Sequence, residues 1–302
     1  MRYGLPYMGS KNKIAKWVLE QLPAATNFYD LFCGGCAITH AAILSRKYKT
    51  YTINDINENV PKLFCDAIAG KYKNEERWIS RDDFMQLRDN DEYVRLSWSF
   101  GNSGRDYMYS KKTEPTKKAL HYAIFYNDFT LADALGVNLH PIENIKGRSL
   151  RYEKVKKLFK AQTNADRCDL ESLERLKRLE RLESLERLQS LESLERFAGS
   201  YADVEIKPDS VIYCDIPYRN THAYNKGTEK DTSGFDYEAF YDWCERQTTP
   251  VFISEYWMPE DRFKCVAALT RSTGMNLKTK TKFQEKIFIP KGQEHKIGLF
   301  DW

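Results

Sequence analysis

Nowhere does the chain stay apolar for the about 18 residues that a membrane-spanning helix needs, so no membrane contact is expected. The start, Met1-Arg2-Tyr3-Gly4-Leu5-Pro6, lacks the charge, apolar stretch and small-residue cleavage site of a secretory leader, which predicts a protein of the cytoplasm. Cysteine is scarce: seven residues, an odd number, are scattered over 302 positions, and a disulfide framework is excluded at that size and spacing. Cys33 and Cys36 form a CxxC, but no second pair of ligands stands at zinc-site spacing. They are expected to pack around a tight loop, and no metal is expected. Strong charge is missing too, since a formal net charge of +4 identifies no partner by itself.

The placement of charge says more than its sum. Between Gly101 and Lys160 there are twelve Lys and Arg against six Asp and Glu, an excess larger than that of the whole chain. A polyanion is attracted to such a stretch, although a solvated basic surface has the same composition.

On either side of that stretch the pattern alternates between strand and helix. Apolar spacing predicts a helix over 14–22, a strand over 27–32 running into glycines, a helix over 37–44 and a strand over 49–53 ending at Asn54-Asp55. Strands follow at 210–214, 250–254 and 286–290, with a helix at 237–246. A strand, glycine loop, helix, strand and acid in series is the pattern of a nucleotide-binding α/β unit. The division expected is therefore 1–70 and 198–302 as two halves of one α/β domain, with 71–165 a mainly helical insert between them.

Residues 166–197 hold a low-complexity repeat in which leucine recurs at every third position from Leu170 to Leu194. A coiled coil alternates steps of three and four, and in an α-helix a constant step of three drifts round the barrel without fixing one seam. Good helix formers and pairs such as Glu174/Arg178 and Glu183/Arg187 predict a helical spacer, its leucines packed partly on the body. Self-association or a partner protein on the leucines is the alternative.

Three segments carry chemistry. Ile212-Tyr213-Cys214-Asp215-Ile216-Pro217-Tyr218 is an apolar strand delivering an acid, a proline and an aromatic to its carboxyl end, where open α/β sheets bind ligands. An exocyclic amine conjugated to a purine ring is a poor nucleophile until acceptors hold its hydrogens. Asp215 and the carbonyl of Ile216 are such acceptors, Pro217 stiffens the turn, and Tyr218 offers a ring for an unstacked base, worth about 1–3 kcal/mol. Alone, the same residues also suit an ordinary strand end. Phe28 to Cys36 is a strand followed by Gly34-Gly35, and with Asp55 one strand later it suits adenosyl binding, the acid taking ribose hydroxyls. No Lys-Ser/Thr pair follows the glycines, which argues against phosphate. Tyr7-Met8-Gly9-Ser10-Lys11 is a turn in which Lys11 would neutralise a cofactor carboxylate, or simply the approach to the first helix.

In this order the segments resemble the DNA adenine methyltransferases of the Dam class, whose pattern is aromatic-x-Gly-Gly-Lys, Phe-x-Gly-Gly-Gly, Asp-Ile-Asn, an insert, and Asp-Pro-Pro-Tyr. Here they stand as Tyr7 to Lys11, Phe32 to Cys36, Asp55-Ile56-Asn57 and Asp215 to Tyr218. Ser10, Cys36 and Ile216 are the departures. The resemblance implies a Rossmann-like, seven-stranded methyltransferase sheet closed by a late strand near Phe288, with the target-recognition insert between its halves. It implies S-adenosylmethionine at Tyr7, Gly9, Ser10, Lys11, Asp30, Phe32, Gly34, Gly35, Asp55 and Asp215. A flipped adenine of double-stranded DNA would be methylated at N6 by Asp215, Ile216, Pro217 and Tyr218. Within the insert Asn102 and Arg105 are candidates for base edges, and Lys111, Lys112, Lys117 and Lys118 for phosphates. A cytosine-N4 or RNA adenine methyltransferase, or an inactive DNA-binding or assembly protein, remain the rival readings.

Overall fold

The computed structural model of the chain describes residues 2–163, 174–188, 193–219, 234–272 and 282–294. Its strands are β1 (Asn27–Asp30), β2 (Thr50–Ile53), β3 (Leu194–Arg196), β4 (Ser210–Cys214), β5 (Val251–Glu255), β6 (Phe263–Ser272) and β7 (Lys282–Pro290). Every residue of β1, β4 and β5 is buried, as apolar runs must be when a parallel strand is covered on both faces. The strands form the expected seven-stranded sheet, ordered β3-β2-β1-β4-β5-β7-β6. Neighbours from β3 to β5 run parallel, and β7 and β6 close the edge antiparallel.

This order positions the site. β1 has β2 on one side and β4 on the other, so the connections leave in opposite directions and open a crevice at the carboxyl ends. Register aligns Asp30 with Ile53 and Tyr213, and Cys214 with Ile253. Asp30, Asp55, Asp215 and Glu255 therefore leave the sheet along one rim.

The described α-helices are α1 (Ala15–Gln21), α2 (Ala37–Ser45), α3 (Asn59–Ile68), α4 (Arg81–Leu87), α5 (Glu92–Ser97), α6 (Glu114–Tyr126), α7 (Thr130–Ala134), α8 (Arg148–Thr163), α9 (Glu174–Leu185) and α10 (Tyr237–Arg246), with short 3₁₀ turns between them. Among the described residues no helix is long and apolar enough to cross a membrane. The chain divides into two units, residues 1–5, 9–65 and 190–302, and residues 6–8 and 66–189. The first holds the sheet. There α10 starts where the Asp236 side chain accepts from Ala239 N at 3.0 Å, and it buries Phe240, Tyr241 and Cys244 against β4 and β5. The second is mainly helical. Its α6, α7 and α8 share a core of Leu120, Ile124, Leu139, Ile142 and Val155, and α4 begins with a reciprocal Ser80/Asp83 cap.

The repeat is not one helix and not a separate unit. Leu179, Leu182, Leu185 and Leu188 are all buried, so its leucines do pack on the body. A 3₁₀ turn over Glu186–Leu188 reconciles this with the spacing, because three residues per turn put Leu188 over Leu185. Beyond it the repeat changes state: Leu194–Arg196 is strand β3, paired with the open edge of β2 through Tyr51 N to Ser193 O (2.9 Å) and Phe197 N to Ile53 O (2.8 Å). Pairing that edge overrides local helix propensity. One expected pair is redirected, since Glu183 pairs with Arg148 at 2.8 Å, and Arg178 turns inward to backbone carbonyls. Leu170 to Leu173 and Leu191 lie outside the described residues.

Candidate active site

The glycine loop is tied from three directions within the first unit. Cys33 N donates to Asn54 O at 2.9 Å, Leu5 N to Gly35 O at 2.7 Å, and Gly34 N to the Asp55 carboxylate at 2.8 Å. The other oxygen of Asp55 accepts from Asn57 N at 3.0 Å. Burial raises the pKa of Asp55, and these two amides pull it back. Gly4 is irreplaceable here, since at φ +65° a Cβ would stand 2.2 Å from Gly35 O.

The departures from the family pattern now have explanations. Ser10 sits at φ −54°, where any residue is at ease, and its hydroxyl accepts from Asn12 N at 3.4 Å. Gly9, at φ +77°, takes the turn that needs glycine. Cys36 is different: at φ 54° it caps α2 in the left-handed region, at a cost of about 1–2 kcal/mol relative to glycine. Its thiol and that of Cys33 are buried and held above the ordinary thiol pKa. Ile216 is 2% exposed and joins the core beneath the site.

Along the rim, Lys11 Nζ lies 2.8 Å from the Asp215 carboxylate and 4.4 Å over the Tyr218 ring. Burial raises the Asp215 pKa and Lys11 opposes that rise. Tyr218 donates from its hydroxyl to Glu285 at 2.8 Å. Tyr237 does the same to the Pro217 carbonyl at 2.8 Å, and Glu255 accepts from Arg219 N at 3.1 Å. The segment Asp215 to Arg219 is thus fixed by Lys11, Glu285, Tyr237 and Glu255. Asp30 is 1% exposed and accepts from the Thr39 hydroxyl at 2.6 Å. Its second oxygen, that of Asn54 and Glu255 Oε2 are buried without hydrogen-bond partners among the described residues. Acceptors left unsatisfied at the carboxyl rim suit a ligand bearing ammonium or hydroxyl donors. Among the described residues no group of three His, Cys, Asp or Glu is arranged to hold a metal ion.

Sequence reasoning paired Asp55 with the glycine loop and picked Asp215 and Tyr218, which this geometry brings together with Lys11. It missed Glu255 and Glu285. Ile253-Ser254-Glu255 repeats the signal that marked Asp55 and Asp215, an apolar strand ending in an acid. Burial raises Asp30 to about 7 and Glu255 to about 8. Both keep a proton in the folded chain that the unfolded chain releases above about pH 4, so folding stability falls as pH rises from about 5 to 8. Glu255→Gln cannot release that proton, and its denaturation midpoint should fall less across that range than that of the unsubstituted chain. Parallel profiles would remove Glu255 as a proton holder.

In the second unit the candidate DNA contacts divide. Lys111 and Lys112 are exposed, and Lys118 is half-buried with Nζ 5.6 Å over the Tyr122 ring. Lys117 is 1% exposed on the inner face of α6, which overturns its expected role at a phosphate. Asn102 folds its amide back onto Leu96 O at 2.8 Å, and Arg105, half-buried, offers its carbonyl to Arg88 at 2.5 Å. Tyr7 also belongs to this unit.

Residues 7–271 match the model of one protein family, described as D12 class N6 adenine-specific DNA methyltransferase. The match runs through both units. No curated protein matches the chain at a significant level.

Proposed function

The chain belongs to the D12 class N6 adenine-specific DNA methyltransferases, and on that premise we propose that it methylates the N6 amine of an adenine extruded from double-stranded DNA, with S-adenosylmethionine as donor. The observation that carries this reading is Asp215, ionically paired with Lys11, at the end of the strand beside the Asp55-clamped glycine loop.

Each residue then has a task. Asp55 and the loop would receive the cofactor's ribose, and the open oxygen of Asp30 would accept from its ammonium, a cation that favours release of the Asp30 proton. The bound cofactor supplies a methyl group activated by an adjacent sulfonium. Asp215 accepts one hydrogen of the target amine and the Ile216 carbonyl the other, so that the nitrogen lone pair is freed from the ring. Both acceptors would face the positive charge that grows on the amine nitrogen as it is methylated, and the surplus proton would leave to water. Lys11 favours the ionised form of Asp215 against the burial that raises its pKa, and a protonated acid would be a poorer acceptor. Tyr218, held by Glu285, stacks on the extruded base. The second unit meets the duplex through Lys111, Lys112 and Lys118, with Asn102 and Arg105 on the reading loop.

Purified protein given label-bearing S-adenosylmethionine and plasmid DNA is expected to yield N6-methyldeoxyadenosine on digestion to nucleosides. Label in cytosine, in RNA alone, or in neither polymer would reject the reading.

A further inference from the structure

The leucine repeat supplies none of the groups proposed for methyl transfer, yet residues 178–188 of it are held at several points within the second unit. Glu180 accepts from Ser149 at 2.6 Å, Glu183 from Arg148 at 2.8 Å and Glu186 from Lys73 at 2.9 Å, beside the four buried leucines. One residue breaks the apolar pattern. Arg178 shares a helix face with Leu182 and Leu185, four and seven positions on, and is 7% exposed. A guanidinium is costly to bury unless its donors are satisfied. Here Nη1 donates to Ser97 O and to Ser99 O, each at 2.9 Å.

Those carbonyls are the root of one loop. Ser97 ends α5, where carbonyls have no partner within the helix. Ser99 bridges to Tyr107, Phe100 N donates to Asp106 O at 2.7 Å and Met108 N to Trp98 O at 2.9 Å. The segment between carries Asn102 and Arg105, with Gly104 N bonded to the Ser99 hydroxyl at 2.9 Å. We propose that the leucine repeat is the support of this reading loop, and that Arg178 is its positioning residue, setting which base sequence the enzyme accepts. The proposal rests on the reading of the second unit as the part that recognises DNA. Arginine suits the task because one rigid, permanently charged nitrogen serves two carbonyls; a lysine is shorter and more mobile.

The test compares the unsubstituted chain with Arg178→Met and Arg178→Lys. The preferred sequence is first mapped by methylating a randomised duplex, and kcat/KM is then measured on that site and on sites altered by one base pair. Arg178→Met is expected to shrink the ratio between preferred and altered sites by about tenfold, the scale of one misread base pair, with kcat on the preferred site changed less than threefold. Arg178→Lys should recover part of the ratio. Amide hydrogen exchange over 97–107 should quicken in Arg178→Met without cofactor or DNA. A purely structural arginine would lower the melting temperature and the active fraction and leave the ratio alone, and that result overturns the proposal. So does unchanged exchange in the loop, whatever the activity. If the unsubstituted chain methylates no DNA, the reading of its activity has failed, and the exchange experiment still judges the anchoring separately.

Discussion

Asp215→Asn is expected to slow methyl transfer by about 10² to 10³-fold at saturating cofactor and DNA, the scale seen when one preorganised group facing transition-state charge is removed. The carboxamide keeps an oxygen for Lys11 but loses the negative charge, and its own N–H groups compete with the amine it should receive. The fold should survive, because the Lys11 ammonium also lies 4.4 Å over the Tyr218 ring and retains that attraction. Single-turnover kinetics isolates the step, and DNA affinity should change little. A loss smaller than about tenfold would take Asp215 out of the chemistry and leave it a partner of Lys11 alone.

Asp55→Ala should act on cofactor affinity instead. The carboxylate binds the amides of Gly34 and Asn57, and on the proposed reading it also receives two ribose hydroxyls. Hydrogen bonds to a charged group contribute about 1.5–3 kcal/mol each, and every 1.4 kcal/mol is tenfold in affinity. Loss of the ribose contacts alone thus weakens donor binding by at least about a hundredfold, and a slackened Gly34 adds to it. Titration calorimetry with S-adenosylmethionine reads this directly. Asp55→Asn should restore part of the affinity, since its amide oxygen still accepts. An alanine variant that binds the donor within threefold of the unsubstituted chain would place the ribose elsewhere.

What could be read from sequence follows physical range. β4 and α10 were legible to the residue because each is specified locally, β4 by a continuous apolar run and α10 by Asp236 at its start and a repeating apolar face. Asp55 and Asp215 were legible because a strand that ends in an acid at the carboxyl rim is a local pattern with a chemical reason. Leu194–Arg196 was not, since nothing in Leu-Glu-Arg differs from the helical repeats before it and only the open edge of β2 makes it a strand. β6 escaped for a similar reason: Phe263–Ser272 is extended because β7 pairs with it along its length. Lys117 was misjudged by residue type, as long cations usually lie at the surface, and only the tertiary structure reveals that it and Arg178 are buried. Glu255 ends β5 in the same local pattern, an apolar strand running into an acid.

The order of the sheet also governs how the chain is made. Asp209, just before β4, accepts hydrogen bonds from Thr26, just before β1, across 183 residues. At about 5–20 residues per second a ribosome takes roughly ten to forty seconds to synthesise that span. Through that interval the flank of β1 that β4 will cover is bare, and an apolar strand edge is where nascent chains adhere to one another. Residues 66–189 emerge in the meantime as an unbroken stretch with its own core. The helical unit can therefore finish folding before the strands of the sheet have all been made.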